Sequence, residues 1–225
     1  MKLASKNTLL AALLAATSIG AFAADSVDLK VIGTIVPASC TPTISGGGVV
    51  DFGRIPASSL SATAATLLPA KNATLTVTCD APVAVGITTV DNRSGTSGSA
   101  SSVLPLSTAP SQVLGVGSVG GKTVGAYNVG FLKTGITADG QSADGIYSQD
   151  GGATWSAFFH PYGTMIQPGL RTHSWAATGQ TVPAAFTTIS QPLEIDLALN
   201  KTADMPPLNT EVPIDGLATF SLVYL

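Results

Sequence analysis

Charge is scarce in this 225-residue chain: 10 Lys and Arg and 13 Asp and Glu make up 10% of it, against about 25% in ordinary soluble domains. The formal net charge of −3 speaks against a nucleic-acid surface, which needs clustered cations. Arginine occurs only as Arg54, Arg93 and Arg171. Histidine is limited to His160 and His173, and Pro161, Gly163, Pro168 and Gly169 between them remove the close spacing of a metal site. No G-x-S-x-G elbow supports a nucleophilic serine, so neither a catalytic residue nor a cofactor is expected. No repeat of 20 to 50 residues points to a propeller or solenoid. Cysteine occurs twice, as Cys40 and Cys79.

What the chain does have is apolar character, 45% of residues with a mean hydropathy of +0.40. A chain this apolar is expected to hide part of its surface against a partner. Its first 23 residues read as a secretory signal peptide: Lys2 and Lys6, the apolar stretch Leu9 to Ala16, and Ala21-Phe22-Ala23 before a cleavage point at Ala24. Downstream, no run of 18 apolar residues could span a bilayer. The expected mature chain is exported, and in an oxidising compartment Cys40 and Cys79 should pair.

Strand signals dominate the remainder. Thr74 to Thr78 and Leu193 to Leu197 alternate with period two, and Val83 to Val90 is rich in β-branched residues. Turn clusters at Gly46-Gly47-Gly48, Asp139-Gly140, Asp144-Gly145 and Asp150-Gly151-Gly152 separate them at the spacing of a sandwich or barrel. Ser94 to Ser102 reads as a flexible loop. The expectation is an all-β domain over residues 37–225, preceded by a separate segment, 24–36.

Both ends of the expected mature chain are written as strands. Val27, Leu29, Val31, Gly33 and Ile35 alternate with polar Asp28, Lys30 and Thr34, and Gly216, Ala218, Phe220, Leu222 and Tyr224 alternate up to Leu225. With these ends, the chain resembles the pilin subunits of chaperone-usher fimbriae. Gly33 to Cys40 is similar to their glycine-containing donor strand and first cysteine, Val50-Asp51-Phe52-Gly53 to the short strand that follows, Thr74 to Cys79 to the strand with the second cysteine, and Tyr224 to the penultimate tyrosine. The middle, about residues 90–192, is longer than a shaft pilin needs and looks like a longer fimbrial-like subfamily of unknown function. The resemblance implies an incomplete immunoglobulin-like β-sandwich of the pilin type, with an enlarged central β region. It also implies a hydrophobic groove beside the C-terminal strand, filled first by a periplasmic chaperone and then, at an outer-membrane usher, by the donor strand of the neighbouring subunit. A surface location and a part in cell adhesion follow from the same resemblance.

Two rival functions have sequence signals of their own. Ser148-Gln149-Asp150-Gly151-Gly152-Ala153-Thr154-Trp155 matches the Asp-box of sialidases at Ser148, Asp150, Gly152, Thr154 and Trp155. One box in a chain with three arginines fits a structural hairpin better than an enzyme. Trp155, Phe158, Phe159, Tyr162 and Trp175 gather aromatic residues that could stack on sugars, as in a secreted or fibre-tip adhesin contacting host or surface glycans, or could equally form core. Gly115-Val116-Gly117-Ser118-Val119-Gly120 fits a nucleotide fingerprint in letters only, and reads as a loop or hairpin because a strand rather than a helix follows.

Overall fold

A computed structural model of the chain describes residues 27–107, 109–159 and 162–225. The signal peptide read over 1–23, the start of the 24–36 segment and His160 lie outside the described residues. The chain divides between Val36 and Pro37 into two units. Of the first, residues 27–36 form neither helix nor strand. Among the described residues no second strand pairs with the strand expected there, and a strand needs a ladder for its N–H and C=O groups.

The unit from Pro37 to Leu225 is built on eight longer strands: β1 Cys40–Ile44, β2 Lys71–Val83, β3 Val85–Asp91, β4 Gly125–Leu132, β5 Gln141–Ser148, β6 Thr172–Ala177, β7 Phe186–Leu199 and β8 Ala218–Tyr224. One layer has the order β1-β2-β7-β4 and the other β8-β3-β6-β5, every pairing antiparallel. The short strand Thr137–Ala138 pairs with both β7 and β5, so the layers are joined by hydrogen bonds on that side. The result is an all-β sandwich of the immunoglobulin-like kind. The central region supplies β4, β5 and β6, so its enlargement is built into both layers.

Period-two patterning decides which residues meet between the layers. Leu75 and Val77 of β2, Ile189 and Leu193 of β7, and Val129 and Phe131 of β4 are buried against Val85 and Ile87 of β3 and Trp175 of β6. Burial of each large apolar side chain contributes about 1.5 to 3 kcal/mol. Burying the Trp175 N–H without a partner would be costly. It donates to Gln191 Oε1 at 3.1 Å, a polar tie between layers. Phe158 enters the same core over Gly145, where an added Cβ would lie 2.2 Å from its ring.

The bridge Cys40–Cys79 closes a separation of 39 residues and joins directly opposed positions of β1 and β2. Closing such a loop contributes roughly 4 kcal/mol on the chain-entropy account. Two expectations are corrected. Val50 to Gly53 is not a strand, because Asp51 turns the chain by accepting the Gly53 N–H at 2.7 Å. Ser94 to Ser102 is not an open loop: Ala100 is fully buried with Leu104 against Ala126 and Ala198, and the Ala100 N–H donates to Asn200 Oδ1 at 2.8 Å. The Gly115 to Gly120 stretch runs into a hairpin, Ser118–Val119 against Lys122–Thr123, with Gly120 and Gly121 at φ of +57° and +78° in its turn. Glycine adopts such positive φ values at no steric cost.

Candidate functional site

The strands β1 and β8 are the outer strands of their layers at one side of the sandwich, and among the described residues each pairs with a single neighbour. Between them the inner face of the β1-β2-β7-β4 layer is left partly uncovered. The opening is an apolar groove of about 200 Å³, below the roughly 300–1,000 Å³ of small-molecule pockets. Ile44, Val50 and Phe52 form one wall, and Ile214, Gly216, Ala218 and Phe220 the other. Ala73, Val129, Leu193, Ile195 and Leu197 line it from the sheet, together with Val116 and Tyr127. These residues are apolar, and the walls carry the free ladder edges of two strands. Such a surface fits an extended chain with apolar side chains at alternate positions.

Each end of the groove is fixed by polar groups. At one end Tyr224 reaches from β8 to β1 and its phenolic oxygen accepts the Cys40 N–H at 2.9 Å. The chain before Cys40 is pinned to β2, since the Ser39 N–H donates to Asp80 Oδ1 at 2.8 Å and the Asp80 N–H to Ser39 O at 3.0 Å. At the other end Arg93 holds Asp215 through Nε and Nη2, both at 3.0 Å, while the Asp215 N–H donates to Val116 O at 2.9 Å. Burial holds the Tyr127 phenol far above its usual range, and the nearby Asp91 carboxylate adds to this. A Cβ at Gly216 would come within 3.0 Å of the Tyr127 ring, so a side chain there would crowd another residue of the groove lining.

The residues singled out in the sequence fall on this frame unevenly. Gly216, Ala218 and Phe220 line the groove; Leu222 packs on the core; Tyr224 closes one end; Leu225 is half exposed, its N–H donating to Ala84 O at 3.0 Å. Val27, Leu29, Val31 and Ile35 are exposed, Ile35 fully, and Gly33 stands in open space. The sequence reading missed Ile44, Ile214 and Tyr127. The first two were legible in principle: Ile44 continues the alternation of β1, and Ile214 extends the even-numbered row of Gly216, Ala218 and Phe220. Tyr127 had no signal, because it enters the groove from a strand three positions away.

The Asp-box is a hairpin turn between β5 and the short strand Ser156–Ala157. Asp150 accepts from Ser148 Oγ at 2.7 Å, the Thr154 N–H at 2.9 Å and Thr154 Oγ1 at 2.6 Å, while the Trp155 ring N–H donates to Gly152 O at 3.1 Å. The Thr154 hydroxyl and amide bonds, with Ser148, bring its carboxyl down to about 2. The aromatic cluster divides: Phe158 and Trp175 are core, whereas Phe159 is 61% exposed, edge-on to Tyr147 at 5.9 Å. His173 is buried between Phe131 and Phe158, and burial, with the Arg171 charge, lowers it to about 3. Among the described residues no three His, Cys, Asp or Glu side chains gather as a metal site, and no helix is long and apolar enough to cross a membrane.

Residues 29–143 match the model of a family described as a protein of unknown function, DUF1120. The chain is 33% identical to Protein GltF of Escherichia coli (strain K12) over 98% of both chains. It is 38% identical over 76 residues, 34% of its length and 32% of the relative's, to Uncharacterized protein YhcF of the same organism.

Proposed function

The chain belongs to the DUF1120 family, and from there we propose that it is a structural subunit of an exported surface fibre of the chaperone-usher kind. Subunits join when an extended segment of one chain fills the groove of its neighbour. The observation that carries this function is the apolar groove between the free edges of β1 and β8. An occupant must add a strand and offer apolar side chains at alternate positions. Val27, Leu29, Val31 and Ile35 of a second copy meet that description, with Gly33 in the row for close approach of backbones. Burying those four side chains contributes about 6 to 12 kcal/mol gross, before ordering costs. Until a neighbour arrives, a periplasmic chaperone covers the groove, and an outer-membrane usher is where the exchange takes place. The subunit has no catalytic step and no cofactor in this scheme.

The test moves residues 27–36 behind Leu225 through a short turn linker, in a chain lacking them at the front. The expected product is a soluble monomer that melts higher and no longer associates, and co-expression of the unaltered chain should yield a one-to-one complex with a chaperone. A front-truncated chain that is already a stable monomer, and that gains nothing from the appended segment, would refute the scheme. A second function, carbohydrate contact, draws on the exposed Phe159 beside Tyr147. It predicts glycan binding by the monomer that Phe159→Ala abolishes.

A further inference from the structure

The outer face of the β1-β2-β7-β4 layer carries a polar pair that the groove does not use. Asp196 of β7 and Asn128 of β4 are directly opposed in the ladder. Directly opposed side chains leave the same face with their Cβ atoms about 4.5 to 5.5 Å apart. Both residues are buried, Asp196 to 4% and Asn128 to 0% exposure. Asn128 Nδ2 donates to Pro105 O at 2.7 Å and Ser107 Oγ at 2.8 Å, which ties the covering segment 99–107 to the sheet. Those two bonds fix the amide's orientation, so Oδ1 faces away from the segment's acceptors. Among the described residues, neither Asn128 Oδ1 nor Asp196 Oδ2, both buried, has a hydrogen-bond partner. Two buried acceptors side by side are a poor arrangement for an ionised carboxylate, since neither supplies a proton and the charge is desolvated.

We infer that Asp196 in its neutral form donates its carboxyl proton to Asn128 Oδ1, making a pH-sensitive clasp beneath segment 99–107 that closes on protonation and opens on ionisation. One proton satisfies both orphaned oxygens. Burial, reinforced by the Glu194 charge, raises the Asp196 carboxyl to about 6, so the clasp works just below neutrality. The surrounding charges do not replace the proton. Glu194 on the same strand is of like sign. Lys71 of β2 stands opposite Ile195 rather than Asp196, and Lys201 bonds Asp204 beyond the end of β7, where Asp204 accepts from Ser99 Oγ at 3.3 Å. Segment 99–107 contains no titratable residue, and the one titratable residue of β4, Tyr127, lines the groove on the opposite face.

The sign follows from linkage. A folded-state value above the unfolded one gives stability that is complete below the unfolded value, about 4, and is lost as pH rises through about 6. Asp196→Asn keeps the shape and supplies an uncharged donor at every pH, so it mimics the closed clasp. In the full chain, its melting temperature should match the unaltered chain near pH 4 and exceed it by about 5 °C near pH 7. The Ala100 and Leu104 amides of the covering segment should exchange about tenfold more slowly in Asp196→Asn near pH 7, after correction for intrinsic rates. If that variant fails to fold, a carboxyl NMR titration of carbon-13-labelled aspartate in the unaltered chain decides. One aspartate titrating near pH 6, with the segment's amides moving in step, supports the clasp; all aspartates titrating below about pH 4.5 overturn it. A melting difference that does not change with pH, or a less stable Asp196→Asn near pH 7, overturns it as well.

Discussion

The hydroxyl of Tyr224, one residue from the chain's end, accepts the backbone N–H of Cys40 at 2.9 Å across 184 positions of sequence. This bond ties the free edges of β1 and β8 directly, and it sits at the end of the groove rather than in its middle. Tyr224→Phe removes the acceptor and keeps the ring. Urea unfolding should show a loss of about 1 kcal/mol, with no change in the slope that reports surface exposed on unfolding.

The Cys40–Cys79 bridge joins β1 to the sandwich from the other side. Cys79→Ser together with Cys40→Ser should cost about 4 kcal/mol. Thermal melting with and without reductant checks this: reductant should lower the melting temperature of the unaltered chain and leave the double variant unaffected.

Ala218 lines the groove and is only half buried, so a large side chain there has room to lie in the opening. Ala218→Trp should reduce binding of a synthetic peptide of residues 24–36 at least tenfold while shifting the melting temperature by no more than a few degrees. Isothermal titration and melting, done on the same preparation, separate a blocked groove from a damaged fold.

Asp150 gives the Asp-box an acid limit. Its folded value, about 2, lies below the unfolded value, so its contribution is present above about pH 4 and is lost as pH falls toward 2. Asp150→Ala should lower the melting temperature near pH 6 and flatten the dependence between about pH 4 and 2. His173 acts in the same direction at higher pH: buried neutral with a folded value of about 3, it favours unfolding as pH falls below about 6.5. The Asp196 contribution runs the opposite way, which is why its test compares two chains at each pH.

Alternation made much of this fold legible, and its failures are local. The period-two rows of Thr74 to Thr78 and Leu193 to Leu197 became parts of β2 and β7, because each alternates between a buried core face and a polar or covered one. The row ending at Tyr224 became β8, with Ala218, Phe220 and Leu222 turned inward. Val50 and Phe52 carry the same pattern yet form no strand, since the Asx turn at Asp51 takes the chain out of the ladder while leaving both side chains on the groove. Ser94 to Ser102 looked mobile because Ser and Gly have little to bury; Asn200, about a hundred residues away, holds it down. No local pattern announces such a tie. The orphaned oxygens of Asn128 and Asp196 were equally invisible, because only the register of β4 and β7 makes them neighbours.

The disulfide also decides how the domain would carry a pull. Force applied to the chain ahead of Cys40 passes through a covalent bond into β2 at Cys79 and does not peel β1 away one hydrogen bond at a time. From there the load meets the ladder of β2 with β7, which runs without a register break from Thr188↔Thr78 to Ile195↔Lys71. Rungs loaded along their strands must give way together, whereas rungs at a peeled edge give way in turn. Placing a cysteine at the first residue of β1 therefore turns an edge strand of the sandwich into its mechanical anchor.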